Sequence, residues 1–188
     1  GNNRSLNGLL QSWLRMKATN LDAFVKTLHL QGSPSTNTMY ADSKGNIAYW
    51  HGNFLPKRAA GLDPSLPLDG STSGTEWQGL YTVEELVHSI NPKEGFLQNC
   101  NSTPFNVSGV HTISKEKFPF YMAPEGENFR SLHASNLLSQ QKAITLERLI
   151  RIGYSPYLAA FDTLLPPLFN DFANSSKTQR PDPVLKEA

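Results

Sequence analysis

Apolar residues recur at helical spacing at both ends of the chain. Over residues 1–31 they fall at Leu6, Leu9, Leu10, Trp13, Leu14, Leu21, Phe24, Val25 and Leu28. This period predicts amphipathic helix, and Asn20 stands where it can cap a second helix after a break. Residues 144–174 show a similar pattern, which Gly153–Pro156 divides into two further helices.

Between these ends the pattern changes to short extended segments. TMYADSKGNIAYW predicts two antiparallel strands around a turn at Asp42–Asn46. A long loop rich in Gly, Pro and Asp follows at residues 53–79, and TVEELVHS (82–89) predicts a short helix because Thr82 and Glu85 have capping-box spacing. GFLQNCN (95–101) predicts a third strand, so that residues 35–104 hold the hairpin, the long loop and an Asn-bearing strand.

The remaining segments are a loop region over residues 105–143 and a frayed tail over residues 175–188. The whole pattern indicates an α+β fold with antiparallel strands in the middle and helices at both ends. We expect residues 1–188 to form a single unit, since the sequence has no internal repeat and no low-complexity linker.

Composition narrows the class of function. The 188 residues are 38% hydrophobic and carry 17 basic against 16 acidic side chains, so no field of one sign favours nucleic acid or an anionic membrane. No apolar run approaches the roughly 18 residues that span a bilayer. A single cysteine excludes an internal disulfide. The chain begins without Met and without a secretory signal, and we expect it to be a piece of a longer protein.

Residues 95–105, GFLQNCNSTPF, hold the one cysteine, Cys100, between Asn99 and Asn101. A catalytic thiol needs a base, and none of the five histidines forms a nucleophile–base motif with it. Glycan acceptors are a second possibility, because Asn101, Asn106 and Asn174 each fit the three-position pattern, which also arises by chance. Metal binding at Asp42–Asn46 would have one carboxylate, fewer than calcium loops use.

A side-chain amide at a strand end is the third possibility. In a strand, Asn99 and Asn101 would share one face and Cys100 would take the other. A neutral N–H donor in such a place can stabilise an oxyanion. The alternative is that these amides cap turns or satisfy loop backbone groups.

Several motifs, in order, resemble the penicillin amidase family over roughly residues 5–150. The stretch from Asn37 to His51 is similar to the hairpin motif NxxYADxxGNIGYxH of that family. Asn91-Pro92 through Asn101 is similar to its NPxxGxxxNxN element. Further matches to the family are MKATN, PKR, GLDPSLP, WQG and an arginine, Arg130, before a Leu-Leu pair.

The resemblance implies part of the four-layered αββα sandwich of N-terminal nucleophile hydrolases, from the middle of the β subunit. In that family a precursor cleaves itself into α and β chains, and a serine at the new β-chain N-terminus attacks a linear amide. Substrates include β-lactams and acyl-homoserine lactones, no cofactor is required, and members are usually periplasmic or secreted. The implied partners are the α chain and the N-terminal part of the β chain.

The resemblance also assigns residues. Asn101 falls where the family places the oxyanion donor, and Arg130 where an arginine supports the active site. Ser5 is internal and has no free amine, so the chain alone is expected to be inactive. Some members bind a structural calcium through the carbonyl of a proline that matches Pro64, but the aspartate they also use corresponds to His111 or lies in an altered loop, which leaves the ligand set incomplete.

Two other interpretations compete with that of an amidohydrolase fragment. The chain can be a non-catalytic β-rich binding module, in which Trp50, Trp77 and Tyr81 stack on sugar. It can also be a family relative that has lost activity.

Overall fold

The computed structural model describes residues 5–33, 36–110 and 112–178. Helices α1 (Ser5–Arg15) and α2 (Leu21–Leu28) precede an antiparallel sheet with strand order β1-β2-β3. Its strands are β1 (Thr38–Ala41), β2 (Ile47–Trp50) and β3 (His88–Ile90). Helices α3 (Phe129–Ser139), α4 (Leu146–Gly153) and α5 (Ala160–Thr178) follow. The α+β class with helices toward both ends of the described chain is confirmed.

The break between α1 and α2 lies where the sequence predicts it. Asn20 has an extended backbone, and its Oδ1 accepts a hydrogen bond from the Ala23 N–H at 2.8 Å. This satisfies one of the unpaired N–H groups at the start of α2. After α2 the chain crosses α1 so closely that a Cβ at Gly32 would collide with the backbone of Asn7 and Gly8.

This crossing gives a stability prediction. Gly32→Ala should destabilise the chain by about 1–3 kcal/mol, because rigid backbone atoms cannot move aside for the added methyl group. Urea unfolding followed by circular dichroism would measure the change. Gly70→Ala is the matched control, since a Cβ there meets no atom within 4 Å. Equal stability of the two variants would contradict the close packing of α1 against the crossing chain.

The hairpin is stabilised by the carboxylate of Asp42. Its Oδ1 accepts from the backbone N–H groups of Lys44 and Asn46 at 2.9 and 3.0 Å, and its Oδ2 accepts from the Asn46 side chain at 2.9 Å. The hydrogen bond from the Asn46 side chain is the main cause that lowers the pKa of Asp42 to about 2. Gly45 completes the turn with a φ of 89°, which glycine adopts without strain.

The third strand is not where the sequence predicts it. Residues 95–101 form no strand; β3 is His88–Ile90, and it pairs with β2 through Trp50↔His88 and Ala48↔Ile90. The predicted helix over residues 82–89 is also wrong, because it stops after one turn in which Glu85 Oε2 accepts from the Thr82 N–H at 2.7 Å. A single turn is marginal by itself, and pairing with β2 draws the following residues into the sheet.

Strand β2 is covered on both faces. Ala48 and Trp50 point toward α2 and form a buried cluster with Leu28 and Val83. Tyr49 points to the opposite face, as alternation in a strand requires, and it is also fully buried. The second face is covered by the loop that carries Asn99, so the sheet lies between the first two helices and the predicted site.

The C-terminal half differs from the expected loop region over 105–143 in one respect. Three short 3-10 turns precede α3. The sequence pattern does not predict α3, because the apolar residues of this helix follow the helical period only weakly. The two predicted helices after residue 144 are present, and α5 runs to Thr178, past the expected start of the tail at 175. Residues 179–188 lie outside the described part of the chain.

Many large apolar side chains of α1, α4 and α5 are exposed, among them Leu9, Trp13, Leu146, Ile150, Leu168 and Phe169. Among the described helices, none is long and apolar enough to cross a bilayer.

Candidate active site

Asn101 has an unusual backbone. Its φ is 55°, in the left-handed region that asparagine tolerates better than other residues with a Cβ. This turn ends the regular alternation, so Asn99 and Asn101 do not share a face. Asn99 donates from Nδ2 to the buried Tyr49 hydroxyl at 3.4 Å, whereas the side chain of Asn101 is exposed and meets Arg130.

The backbone at Asn101 is held by a residue far away in sequence. Asn128 Nδ2 donates to the carbonyl oxygens of Cys100 at 3.0 Å and Asn101 at 3.2 Å. A third bond joins the same two segments, from the Thr103 N–H to the Gly126 carbonyl oxygen at 3.0 Å. The loop around Asn101 is therefore fixed to the start of α3.

Asn128 also begins that helix. Its Oδ1 accepts from the Ser131 N–H at 3.0 Å, which makes it the N-cap of α3. Glu127 supports the same junction, since its carboxylate accepts hydrogen bonds from the Asn106 side chain and the Ser131 hydroxyl. One amide thus uses its oxygen to start the helix and its nitrogen to hold the Asn101 loop.

Arg130 follows in the first turn of α3, and its Nη2 donates to Asn101 Oδ1 at 3.3 Å. Because a guanidinium has only donors, this contact determines which end of the Asn101 amide faces it. The amide oxygen points to Arg130, and Nδ2 is left to point elsewhere. Among the described residues we find no hydrogen bond from that Nδ2.

The arrangement can therefore present an N–H donor next to a positive charge. Asn101 is exposed, so its Nδ2 is open to a molecule that approaches the loop. Such a donor, fixed before the reaction, is what stabilises negative charge on a carbonyl oxygen under attack.

Cys100 is half-buried and carries a free thiol. It lines a cavity of about 670 Å³ between α3 and the segment containing α4. The rest of the lining is largely apolar, with Arg130, His133, Ser155 and Tyr157 as its polar members.

Two other sequence-based candidates are placed differently. Asn106, which fits the glycan pattern, is buried, and its side chain donates to Glu127. Pro64 lies in a turn in which the Asp63 carboxylate accepts from the N–H and hydroxyl of Ser65, which lowers the pKa of Asp63. His111 lies outside the described residues. Across residues 5–33, 36–110 and 112–178, no group of three or more His, Cys, Asp or Glu could hold a metal ion.

Sequence reasoning brought out Asn101 and Arg130 but missed Asn128 and Glu127. Asn128 has a detectable local signal, because asparagine is among the residues preferred at the N-cap of a helix. Its bonds to Cys100 and Asn101 leave no such signal, because these residues lie 28 and 27 positions before it in the sequence.

The two functions of Asn128 can be separated by mutation. Asn128→Asp keeps an oxygen that accepts from Ser131 but places a carboxylate against the carbonyls of Cys100 and Asn101. We expect α3 to keep its cap, while the Thr103 N–H, which donates to the Gly126 carbonyl across this junction, exchanges with solvent faster. Hydrogen exchange measured by NMR or mass spectrometry would show this.

The matched control is Asn20→Asp, at the N-cap of α2, where the side-chain oxygen alone carries the recorded contact. It should be nearly neutral, because Asn and Asp cap equally well. Asn128→Ala should lose about 1 kcal/mol more from the missing cap. Unchanged exchange in Asn128→Asp would show that Asn128 does not hold the loop.

Comparison with known proteins agrees with this arrangement of motifs. The sequence profile described as penicillin amidase matches residues 4–186. The chain belongs to the penicillin amidase family.

Two relatives each match about half of this chain. Penicillin G acylase of Escherichia coli is 36% identical over 96 residues, which is 50% of this chain and 11% of that protein. The acyl-homoserine lactone acylase PvdQ of Pseudomonas savastanoi pv. phaseolicola (strain 1448A / Race 6) is 31% identical over 120 residues, covering 53% of this chain and 15% of the relative.

A solved structure extends the likeness. The thermostable penicillin G acylase from Alcaligenes faecalis matches with a TM-score of 0.61 and 25% identity over 80% of this chain. That match covers 25% of the acylase chain, so the present chain spans a quarter or less of the relatives it resembles. The short sheet and the five helices of the described residues do not fit a β-rich binding module.

Proposed function

We propose that this chain forms part of an amidohydrolase that cleaves linear amide bonds of N-acylated substrates, and that Asn101 Nδ2 is its oxyanion donor. The observation that carries this proposal is the Arg130–Asn101 contact, which turns the amide oxygen toward Arg130 and leaves Nδ2 available. Family membership supplies the reaction class, since the named relatives are acylases.

In the proposed reaction the nucleophile is a serine at the N-terminus of a processed chain, supplied by another segment of the precursor. Its α-amino group takes the hydroxyl proton as the oxygen attacks the substrate carbonyl. The carbonyl oxygen becomes negative and accepts a hydrogen bond from Asn101 Nδ2. The proton then passes to the leaving amine as the C–N bond breaks, and water releases the carboxylic acid from the acyl-enzyme.

Arg130 has a supporting function in this scheme. Its guanidinium holds the Asn101 amide in the donating orientation and places a positive charge close to the developing oxyanion. A donor that is already oriented needs no reorganisation at the moment of reaction. The substrates proposed are N-acylated β-lactams or acyl-homoserine lactones, the classes that the named relatives suggest.

Completion of the site requires other segments. We propose that the α chain and the N-terminal part of the β chain supply the serine and the remaining layers of an αββα sandwich, and cover the exposed apolar side chains of α1, α4 and α5. The chain alone would then be inactive, because Ser5 has its amine in a peptide bond. A periplasmic or secreted location is proposed on the same grounds.

Asn101→Gly in the complete acylase is the sharpest test, because glycine removes the amide yet adopts a φ of 55° without strain. We expect kcat to fall by about a hundredfold to a thousandfold, the usual cost of one oxyanion donor. Steady-state hydrolysis of an N-acyl substrate would measure it. Asn101→Ala should lose as much turnover and some stability as well.

Asn136→Ala is the control, since Asn136 is also exposed and its Oδ1 also accepts from a side chain, that of Gln140. It should retain normal turnover. Near-normal kcat in Asn101→Gly would rule out Asn101 as the oxyanion donor.

A further inference from the structure

Behind the Asn101 loop lies a line of side chains that the proposed reaction does not use. Building on the proposed function, we propose that Tyr49 and His51 are positioning residues for Asn101, acting through Asn99 as the inner anchor of its loop. The line runs from Glu125 through His51 and Tyr49 to Asn99, and it crosses from the segment before α3 to the sheet and then to the loop.

The contacts are successive. His51 Nε2 lies 3.5 Å from Glu125 Oε2, and His51 Nδ1 lies 3.2 Å from the Tyr49 hydroxyl. The same hydroxyl is 3.4 Å from Asn99 Nδ2. Tyr49 and His51 are two positions apart at the end of β2, so strand geometry puts them on one face. These are the Tyr and His of the hairpin motif YxH.

The direction of the hydrogen bonds follows from what each group can donate. Asn99 Nδ2 donates to the tyrosine oxygen, so the tyrosine O–H is free to donate to His51 Nδ1. His51 then carries its proton on Nε2, which faces Glu125. In this arrangement the buried Tyr49 hydroxyl both accepts and donates a hydrogen bond, as buried polar groups require, and His51 is neutral.

Protonation of His51 would disturb this order. A proton on Nδ1 would make that atom a donor, and the hydroxyl hydrogen of the fully buried Tyr49 would lose its acceptor. Burial lowers the pKa of His51, while the charge of Glu125 and the Met122 carbonyl oppose that shift. Among the described residues, Glu125 supplies the carboxylate that lies within 4 Å of the His51 ring. The neutral form is thus the one present near pH 7.

The anchor bears on Asn101 because Asn99 is only two residues away. On the outer side, Asn128 holds the carbonyls of Cys100 and Asn101. On the inner side, Asn99 donates to the hydroxyl of Tyr49, whose side chain is fully buried between the sheet and the loop. Two attachments on opposite sides limit how far the Asn101 amide can shift, and displacements of about 1 Å can cost a hundredfold in rate.

The test uses Tyr49→Phe, His51→Gln and Glu125→Gln, with Tyr40→Phe and His88→Gln as matched controls from the same sheet. Tyr40 bonds to Asp42 and His88 to the Leu86 carbonyl, both away from the Asn99 loop.

In the complete acylase, Tyr49→Phe and His51→Gln should lower kcat about tenfold to a hundredfold with KM within about twofold. The controls should keep wild-type turnover.

The pH profile separates positioning from a merely structural role. Wild-type kcat should fall at acid pH as His51 becomes protonated. Glu125→Gln removes the charge that raises the pKa of His51, so this acid limb should move to lower pH. His51→Gln should lack the decrease in kcat at acid pH that protonation of His51 causes. An acid limb that stays in place in both variants would overturn the inference.

A second measurement is independent of catalysis. In the 188-residue chain, NMR should show the Asn101 side-chain amide signals moving in Tyr49→Phe but not in Tyr40→Phe. Unmoved signals would refute the anchor whether or not the protein is an amidase. Conversely, if Asn101→Gly abolishes turnover while Tyr49→Phe does not, the positioning inference fails and the proposed function stands.

Discussion

The side-chain amide of Asn128 is the contact on which the arrangement of the candidate site depends. Its oxygen caps α3 and its nitrogen holds the carbonyls of Cys100 and Asn101. The two bonding functions sit on one planar group, so the direction of α3 and the position of the loop are coupled. Arg130, two residues further on, is thereby brought to the Asn101 side chain. Without this junction, neither residue would be oriented toward the other by local structure.

Strand β2 provides the rigid support beneath the junction. Its two faces are both buried, one against Leu28 and Val83 and the other against the Asn99 loop. A strand packed on both sides has little freedom to shift, since protein interiors are close-packed. Polar contacts on its second face, from Tyr49 and His51, therefore transmit the position of the sheet to the loop. The left-handed backbone of Asn101 is tolerated in this setting, as strained residues persist where the surroundings determine them.

The same chain exposes apolar side chains on α1, α4 and α5 that an independent protein of this size seldom leaves open to solvent. The match to the Alcaligenes faecalis acylase covers 25% of that chain, which agrees with further layers that would pack over these helices. The proposed reaction also needs further segments, since this chain would supply the donor Asn101 and Arg130, and another segment would supply the nucleophile. Stability and catalysis would then depend on the same missing partners.

Short-range patterns predicted much of the fold. The first two helices with the cap at Asn20, the hairpin with its turn at Asp42–Asn46, and the last two helices each follow from residues close together in sequence. These elements are specified by caps, turns and periodicity, which act within a few residues. The motif resemblance likewise pointed to Asn101 and to Arg130, each from its own motif.

The tertiary structure decided what depends on distant partners. Residues 88–90 became a strand because β2 offered an open edge, although the local signal at Thr82 and Glu85 favoured a helix. Asn101 left the predicted strand because Asn128, 27 residues away, holds its carbonyl in a turn. No window of sequence contains both members of such a contact, and hydrogen bonds between distant segments form only once packing has brought them together.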